Sequence, residues 1–239
     1  MGLAKQAMLG VAGAFAALAL TPQAAEAGTV VASSGPSSET YPVGAQIGDT
    51  QRITLRAGDT LTVLSNGRTR TLRGPGTFIL AQRGARSDNR ALSALTSRRS
   101  SSRARTGAVR GDGNAVVSNP NLWYVDVAQS GTICLANPDP IQLWRADTEA
   151  AASYSFSRSG AEGEAIDVAF PESEMLGIWD GAVQLREGET YVISGGGSSA
   201  EVSFVFLQEI PNDGEELALT LIENGCSVQL DQLTRALAE

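Results

Sequence analysis

The sequence predicts a mainly β protein, with a small N-terminal β-meander followed by an antiparallel β-sandwich-like domain and a C-terminal helical hairpin. Three observations carry this. Short runs rich in Val, Ile, Thr, Tyr and Phe recur along the chain, separated by Gly, Pro, Asn and Asp turns. Asn66-Gly67 lies between two such runs and is the strongest short hairpin signal, because both central residues of a type I′ turn need positive φ. After Pro211 the pattern changes, and Leu217, Leu221, Leu230, Leu233 and Leu237 fall at helical spacing.

The first 27 residues read as a secretory signal peptide. Lys5 precedes an apolar run from Ala7 to Leu20, Thr21-Pro22 breaks the run, and Ala25-Glu26-Ala27 is a small-x-small cleavage site. The run is shorter than the roughly 20 apolar residues of a membrane span, so cleavage before Gly28 and export to the periplasm are expected. No later stretch is apolar enough to span a bilayer.

Residues 28–82 carry the meander. Its strands are expected at Gln51–Arg56, Thr60–Ser65, Arg68–Arg73 and Thr77–Ala81, and its turns at Ala57-Gly58-Asp59, Asn66-Gly67 and Gly74-Pro75-Gly76. A two-residue turn at Asn66-Gly67 sets Val63 opposite Arg70, Thr62 opposite Thr71, and Leu61 opposite Leu72 as the buried pair. So short a unit is expected to lean on the rest of the chain for its core.

Residues 83–117 change character. Ser87 or Asp88 is placed to cap a short helix through Ala91, Leu92 and Leu95. An Arg/Ser/Gly-rich stretch follows, and it reads either as linker or as an anion-binding arm. In the second reading Arg98, Arg99, Arg103 and Arg105 are the candidate anion-binding residues, because a guanidinium fork matches phosphate and carboxylate groups bidentately.

Residues 118–210 carry the sandwich. Strands are expected at Leu122–Ala128, Thr132–Ala136, Ile141–Arg145, Ser153–Arg158, Ala165–Phe170, Val183–Arg186, Thr190–Ser194 and Glu201–Gln208. Residues 211–239 then give two helices. Asn212-Asp213-Gly214 starts the first and Asn224-Gly225 stops it; Ser227 is placed to cap the second, with Asp231 and Arg235 paired at i, i+4. Leu217-Leu219-Leu221 alternates and also fits a strand. Leu55-Arg-Ala-Gly-Asp-Thr60 resembles Leu185-Arg-Glu-Gly-Glu-Thr190, which suggests an internal duplication.

Cys134 and Cys226 are the only cysteines, and in an exported chain an even count predicts a disulfide. They lie 92 positions apart, and the bridge is worth about 2–5 kcal/mol. The chain has no histidine, which excludes Ser–His–Asp and Cys–His machinery and His-ligated zinc. Lysine occurs once, at Lys5, so arginine is the only basic side chain after the leader. From Gly28 to Val117 there are 13 arginines against five acids, whereas from Ser118 onward there are four against 20. Such asymmetry points to two units or to an interaction surface.

Catalytic and ligand-binding alternatives were few. Glu162 with Glu164, Glu172 with Glu174, and Glu187 with Glu189 have the i, i+2 spacing of a carboxylate pair but sit at turns. Asp112 with Asn114, and the group Asn212, Asp213, Glu215 and Glu216, offer oxygen ligands without the spacing of a calcium loop, so no metal and no cofactor is expected. Ser194-Gly195-Gly196-Gly197-Ser198 lacks the ending of a phosphate loop and reads as a hairpin turn. Trp123, Trp144 and Trp179, with Tyr154 and Tyr191, are the candidate aromatic surface for sugars if exposed, and core residues if not.

The stretch Ile53-Thr-Leu-Arg-Ala-Gly-Asp-Thr-Leu-Thr-Val-Leu64, with Asn66-Gly67 and Leu72-Arg-Gly-Pro-Gly-Thr-Phe78, resembles the periplasmic FecR-like domain. Together with Ile133-Cys134-Leu135 and Gln142-Leu143-Trp144-Arg145, it is also similar to uncharacterised exported proteins of alphaproteobacteria. The FecR likeness implies periplasmic recognition. FecR proteins also have a cytoplasmic segment and a membrane helix, which this sequence lacks, so transmembrane signalling is not implied. The expected function is therefore non-enzymatic binding of an envelope protein or anionic envelope polymer, with no role for nucleic acid. A carbohydrate-binding module or cryptic glycosidase is the first alternative, and a structural, self-associating envelope protein is the second.

Overall fold

The computed structural model describes residues 26–80, 90–97, 118–136, 140–160, 165–179 and 185–238. Residues 1–25, which hold most of the expected signal peptide, the expected helix cap at Ser87 or Asp88 and the stretch 98–117 lie outside the described residues.

Strands β1 (Glu26–Ser34), β2 (Gln46–Gly48), β3 (Arg52–Leu55), β4 (Thr60–Ser65), β5 (Arg68–Arg73) and β6 (Gly76–Ile79) build the first unit. The turn at Asn66-Gly67 has φ of 53° and 74°, and β4 and β5 pair in the expected register, with Leu61 opposite Leu72 and Val63 opposite Arg70. Consecutive strands pair in β1–β2 and β4–β5; β1 also lies beside β4, giving the order β2-β1-β4-β5, while β3 and β6 form a separate ribbon. Val30, Ile47, Leu61, Val63 and Leu72 of the sheet pack against Ile53 and Leu55 of the ribbon. Asp59 fastens the turn before β4. One of its carboxylate oxygens accepts the Ser37 N–H at 2.9 Å and the other accepts the Arg56 N–H. Burial opposes its charge, but these donors prevail and hold the carboxyl below the usual carboxylate range.

The second unit comprises β7 (Val125–Asp126), β8 (Gly131–Leu135), β9 (Ile141–Trp144), β10 (Ala152–Arg158), β11 (Ala165–Phe170), β12 (Leu176–Trp179), β13 (Thr190–Gly195) and β14 (Ser198–Phe206). A five-stranded sheet, β11-β10-β13-β14-β8, faces a three-stranded sheet, β12-β9-β7. Most pairs are antiparallel; β8 joins β14, and β7 joins β9, in parallel. Phe156 packs against Trp179 at 4.6 Å and stacks on Tyr191 at 5.4 Å in the centre of the core. Gly177 allows the layers to approach, since a Cβ there would fall 2.7 Å from Val168 Cγ1. Of the run expected over Leu122–Ala128, only Val125–Asp126 is strand, because Asn119 and Asn121 bind the backbone around it and bend it into turns. Leu185 and Arg186 are not strand either, and β1, β2 and β12 arise where no strand was expected.

Helix α1 (Arg90–Thr96) and the hairpin of α2 (Gly214–Glu223) and α3 (Ser227–Ala236) form a third core that joins the units. Leu217, Leu221, Leu230 and Leu233 pack with Val31 and Leu64 from the first unit and with Leu122, Trp123 and Cys134 beyond it. The first unit does lean on the rest of the chain. Asp213 caps α2 through the Glu215 and Glu216 N–H groups, so the acids there begin a helix, and Leu217-Leu219-Leu221 is helical. At α3 the cap position is Cys226 rather than Ser227, without a side-chain bond, because the Cys134–Cys226 disulfide (Cα–Cα 5.9 Å) holds that residue against β8. Asp231 and Arg235 form no ion pair. No described helix is long and apolar enough to cross a membrane.

The resemblance between the two hexapeptides extends to topology. Both have a left-handed glycine, Gly58 at φ 85° and Gly188 at φ 77°, closed by a bond from residue 59 to Arg56 O or from residue 189 to Arg186 O. Each opens a strand, a two-residue turn of positive φ and a returning strand in the same register: Thr60 opposite Arg73 and Ser65 opposite Arg68, then Thr190 opposite Ser203 and Gly195 opposite Ser198. The order β2-β1-β4-β5 recurs as β11-β10-β13-β14. The two units are therefore built on one plan.

Candidate binding site

Sequence reasoning offered tryptophans and arginines, and the structure treats them differently. Trp123, Trp144 and Trp179 are 9, 2 and 1% exposed, and Tyr154 and Tyr191 are also buried. They form no aromatic surface, because each ring fills part of a core. Trp179 packs on Phe156, and Trp123 sits in the helical core and donates its indole N–H to Thr96 O at 3.2 Å. Trp144 lies in β9 beside a cleft, and its indole nitrogen has no hydrogen-bond partner among the described residues. The carbohydrate reading needed at least two tryptophans on one surface, and their burial removes that platform.

The paired acids separate as well. Glu187 accepts the Phe206 N–H at 3.2 Å, and Glu189 pairs with Arg158 at 3.2 Å and Arg186 at 3.5 Å, so both acids hold the turn before β13. Glu172 and Glu174 are exposed, whereas Glu162, Glu164, Asp112 and Asn114 lie outside the described residues. No group of His, Cys, Asp and Glu suited to a metal ion forms among the described residues. The triple-glycine stretch is a hairpin turn, with Gly196 and Gly197 at φ 55° and 80°.

A cleft of about 370 Å³ lies between α3 and the segment from Ser118 to Ile133. Tyr124, Asp126, Trp144, Asp231, Gln232 and Arg235 are among its walls. Burial raises the Asp126 carboxyl, partly offset by the Ala128 N–H that it accepts, and burial also raises the Tyr124 phenol. Amides secure the frame. The Gln229 side chain, 4% exposed, accepts the Cys134 N–H at 2.6 Å and donates to Cys134 O and Leu122 O, each at 2.8 Å. Gln232 donates to Asn119 O, and Asn121 to Ser97 O, both at 2.8 Å. The last of these bonds, with Leu122 N–H to Leu95 O, ties the end of α1 to the segment Asn121–Leu122. Arg98, Arg99, Arg103 and Arg105 lie outside the described residues.

The described arginines take two roles. Arg145, 3% exposed, donates to Glu174 O, Ala150 O and Pro171 O at 2.8–3.0 Å and covers the Phe170 ring, so it fastens two loops. Arg52, Arg70 and Arg73 of the first unit make no ion pair with any described residue. Arg70 and Arg73 belong to β5, the edge strand of its sheet. Sequence reasoning placed Arg68–Arg73 on a strand but did not mark it as an edge; that follows from β1 taking the inner place beside β4.

Set against protein-family models, curated proteins and solved structures, the chain matches none.

Proposed function

We propose that this is an exported, non-enzymatic binding protein of the periplasm, which recognises an envelope protein or an anionic envelope polymer through arginine side chains of its first half. The observation that supports it most is that Arg52, Arg70 and Arg73 pair with no described carboxylate, in the half where arginine outnumbers acid by 13 to five. Arginine keeps its charge at any ordinary pH and recognises anions bidentately, but it is poorly suited to proton transfer. The FecR likeness of Ile53–Phe78 and the disulfide agree with recognition in an oxidising compartment.

Titration with poly-L-glutamate and with polygalacturonate, at low and high salt, tests this. Binding that weakens as salt rises is expected. A variant with Arg98, Arg99, Arg103 and Arg105 all changed to Ser reports the share of the arginine-rich stretch. Absence of binding to either polymer at low salt overturns the proposal.

A further inference from the structure

The outer edge of β5 is half occupied. With a two-residue turn at Asn66-Gly67, residues 68, 70 and 72 exchange backbone hydrogen bonds with β4, and residues 69, 71 and 73 turn theirs outward. Thr69 uses that direction: its N–H donates to Leu237 O at 2.9 Å, its hydroxyl donates to Thr234 O at 3.1 Å, and it makes a parallel bridge with Ala238. Beyond it, the outward groups of Thr71 and Arg73 have no backbone partner among the described residues.

The second unit shows how the same edge is completed. Its corresponding strand, β14, carries β8 as a parallel neighbour, with Ser203 opposite Thr132 and Phe206 opposite Leu135. Glu201 N–H, which corresponds to Thr71 N–H, donates to Ser130 Oγ at 3.1 Å. One plan thus has a parallel strand in place on one copy and a parallel bridge only begun on the other.

From this pairing we infer that the β5 edge, at Thr71 to Arg73, receives an extended acidic segment of a partner protein as an added parallel strand. The inference rests on the proposed anion-binding function and names the partner's form. Backbone hydrogen bonds supply the docking, as in other cases of strand addition. Arg70 and Arg73 alternate to opposite faces of β5, so they flank an incoming strand on both sides. Charged edges deter indiscriminate pairing, and here the sign also selects: a second copy of β5 brings arginine against arginine, whereas an acidic strand brings complementary charge.

The experiment titrates purified protein with an amidated, acetylated peptide of alternating glutamate and valine, following amide exchange by NMR. The expected result is protection of the Thr71 and Arg73 amides, with binding weakened about tenfold by Arg70→Glu with Arg73→Glu, about 1.4 kcal/mol. Thr71→Pro removes an outward N–H without touching the β4 ladder and is expected to abolish the protection at Arg73. A control peptide of alternating lysine and valine should not bind, and its binding with equal affinity overturns the selection by charge. If the acidic peptide binds while both amides stay unprotected and Thr71→Pro has no effect, strand addition is overturned and anion binding stands. Absence of binding by this peptide and by both acidic polymers overturns both. Protection that appears with rising protein concentration alone makes a second copy the occupant and overturns the inference.

Discussion

Gln229 provides the sharpest test of how the helical layer holds the molecule together. Its amide acts as a short strand on the edge of β8, accepting the Cys134 N–H and donating to Cys134 O and Leu122 O. Gln229→Met keeps most of the volume and removes all three bonds. An unpaired buried N–H costs about 1–3 kcal/mol, and each lost carbonyl bond about 1 kcal/mol. Burial of the methionine side chain offsets roughly 1 kcal/mol, leaving a net loss of about 3 kcal/mol. For a protein of this size that lowers Tm by about 6–12 °C. Thermal unfolding with the disulfide intact is the assay, since that bond fastens the same helix. A fall of less than about 2 °C would refute the view that these bonds clamp α3 to β8, because it corresponds to under about 1 kcal/mol.

Three further outcomes follow from the same structure. Asp59 has a depressed carboxyl pKa, so its stabilisation is present above the ordinary carboxylate value and is lost as pH falls through the folded one; Asp59→Asn should remove that part of the acid-unfolding curve, read by circular dichroism against pH. Glu215 behaves oppositely. Burial raises its carboxyl despite the Asn66 N–H it accepts at 2.7 Å, so stability should decline as pH rises through the folded value, and Glu215→Gln should flatten that decline in urea titrations. Gly177→Ala places a Cβ 2.7 Å from Val168 and 2.8 Å from Phe170, and the overpacking should destabilise the fold by about 1–3 kcal/mol, read as a lower denaturant midpoint at unchanged slope.

Much of the fold was legible where the local signal and the tertiary demand agree. Asn66-Gly67 sets its own hairpin because two positive φ angles suit those residues, and the register of Leu61 with Leu72 follows from the turn. The disulfide and the helical hairpin were equally accessible, one from an even cysteine count and one from leucine spacing. What escaped depends on contacts distant in sequence. The three residues of β2 carry little periodicity, and β12 contains Gly177, whose need for close packing appears only when two sheets face each other. Gln229 carries no local signal, because its partners are the backbone groups of Cys134 and Leu122, about a hundred positions away. The tryptophans were correctly noticed as large and scarce, but exposure is decided by packing. Arg70 and Arg73 were visible as charges on a strand, while their place on an open edge required the strand order.

The central claim is that arginines of the first unit recognise acidic partners. Isothermal titration of the protein and its Arg70→Glu, Arg73→Glu variant with poly-L-glutamate, across a salt series, tests it most directly. The account predicts that the unmodified protein binds at low salt, loses affinity steadily as salt increases, and binds more tightly than the variant at every salt concentration. Equal affinity of the two proteins, or binding indifferent to salt, would contradict it.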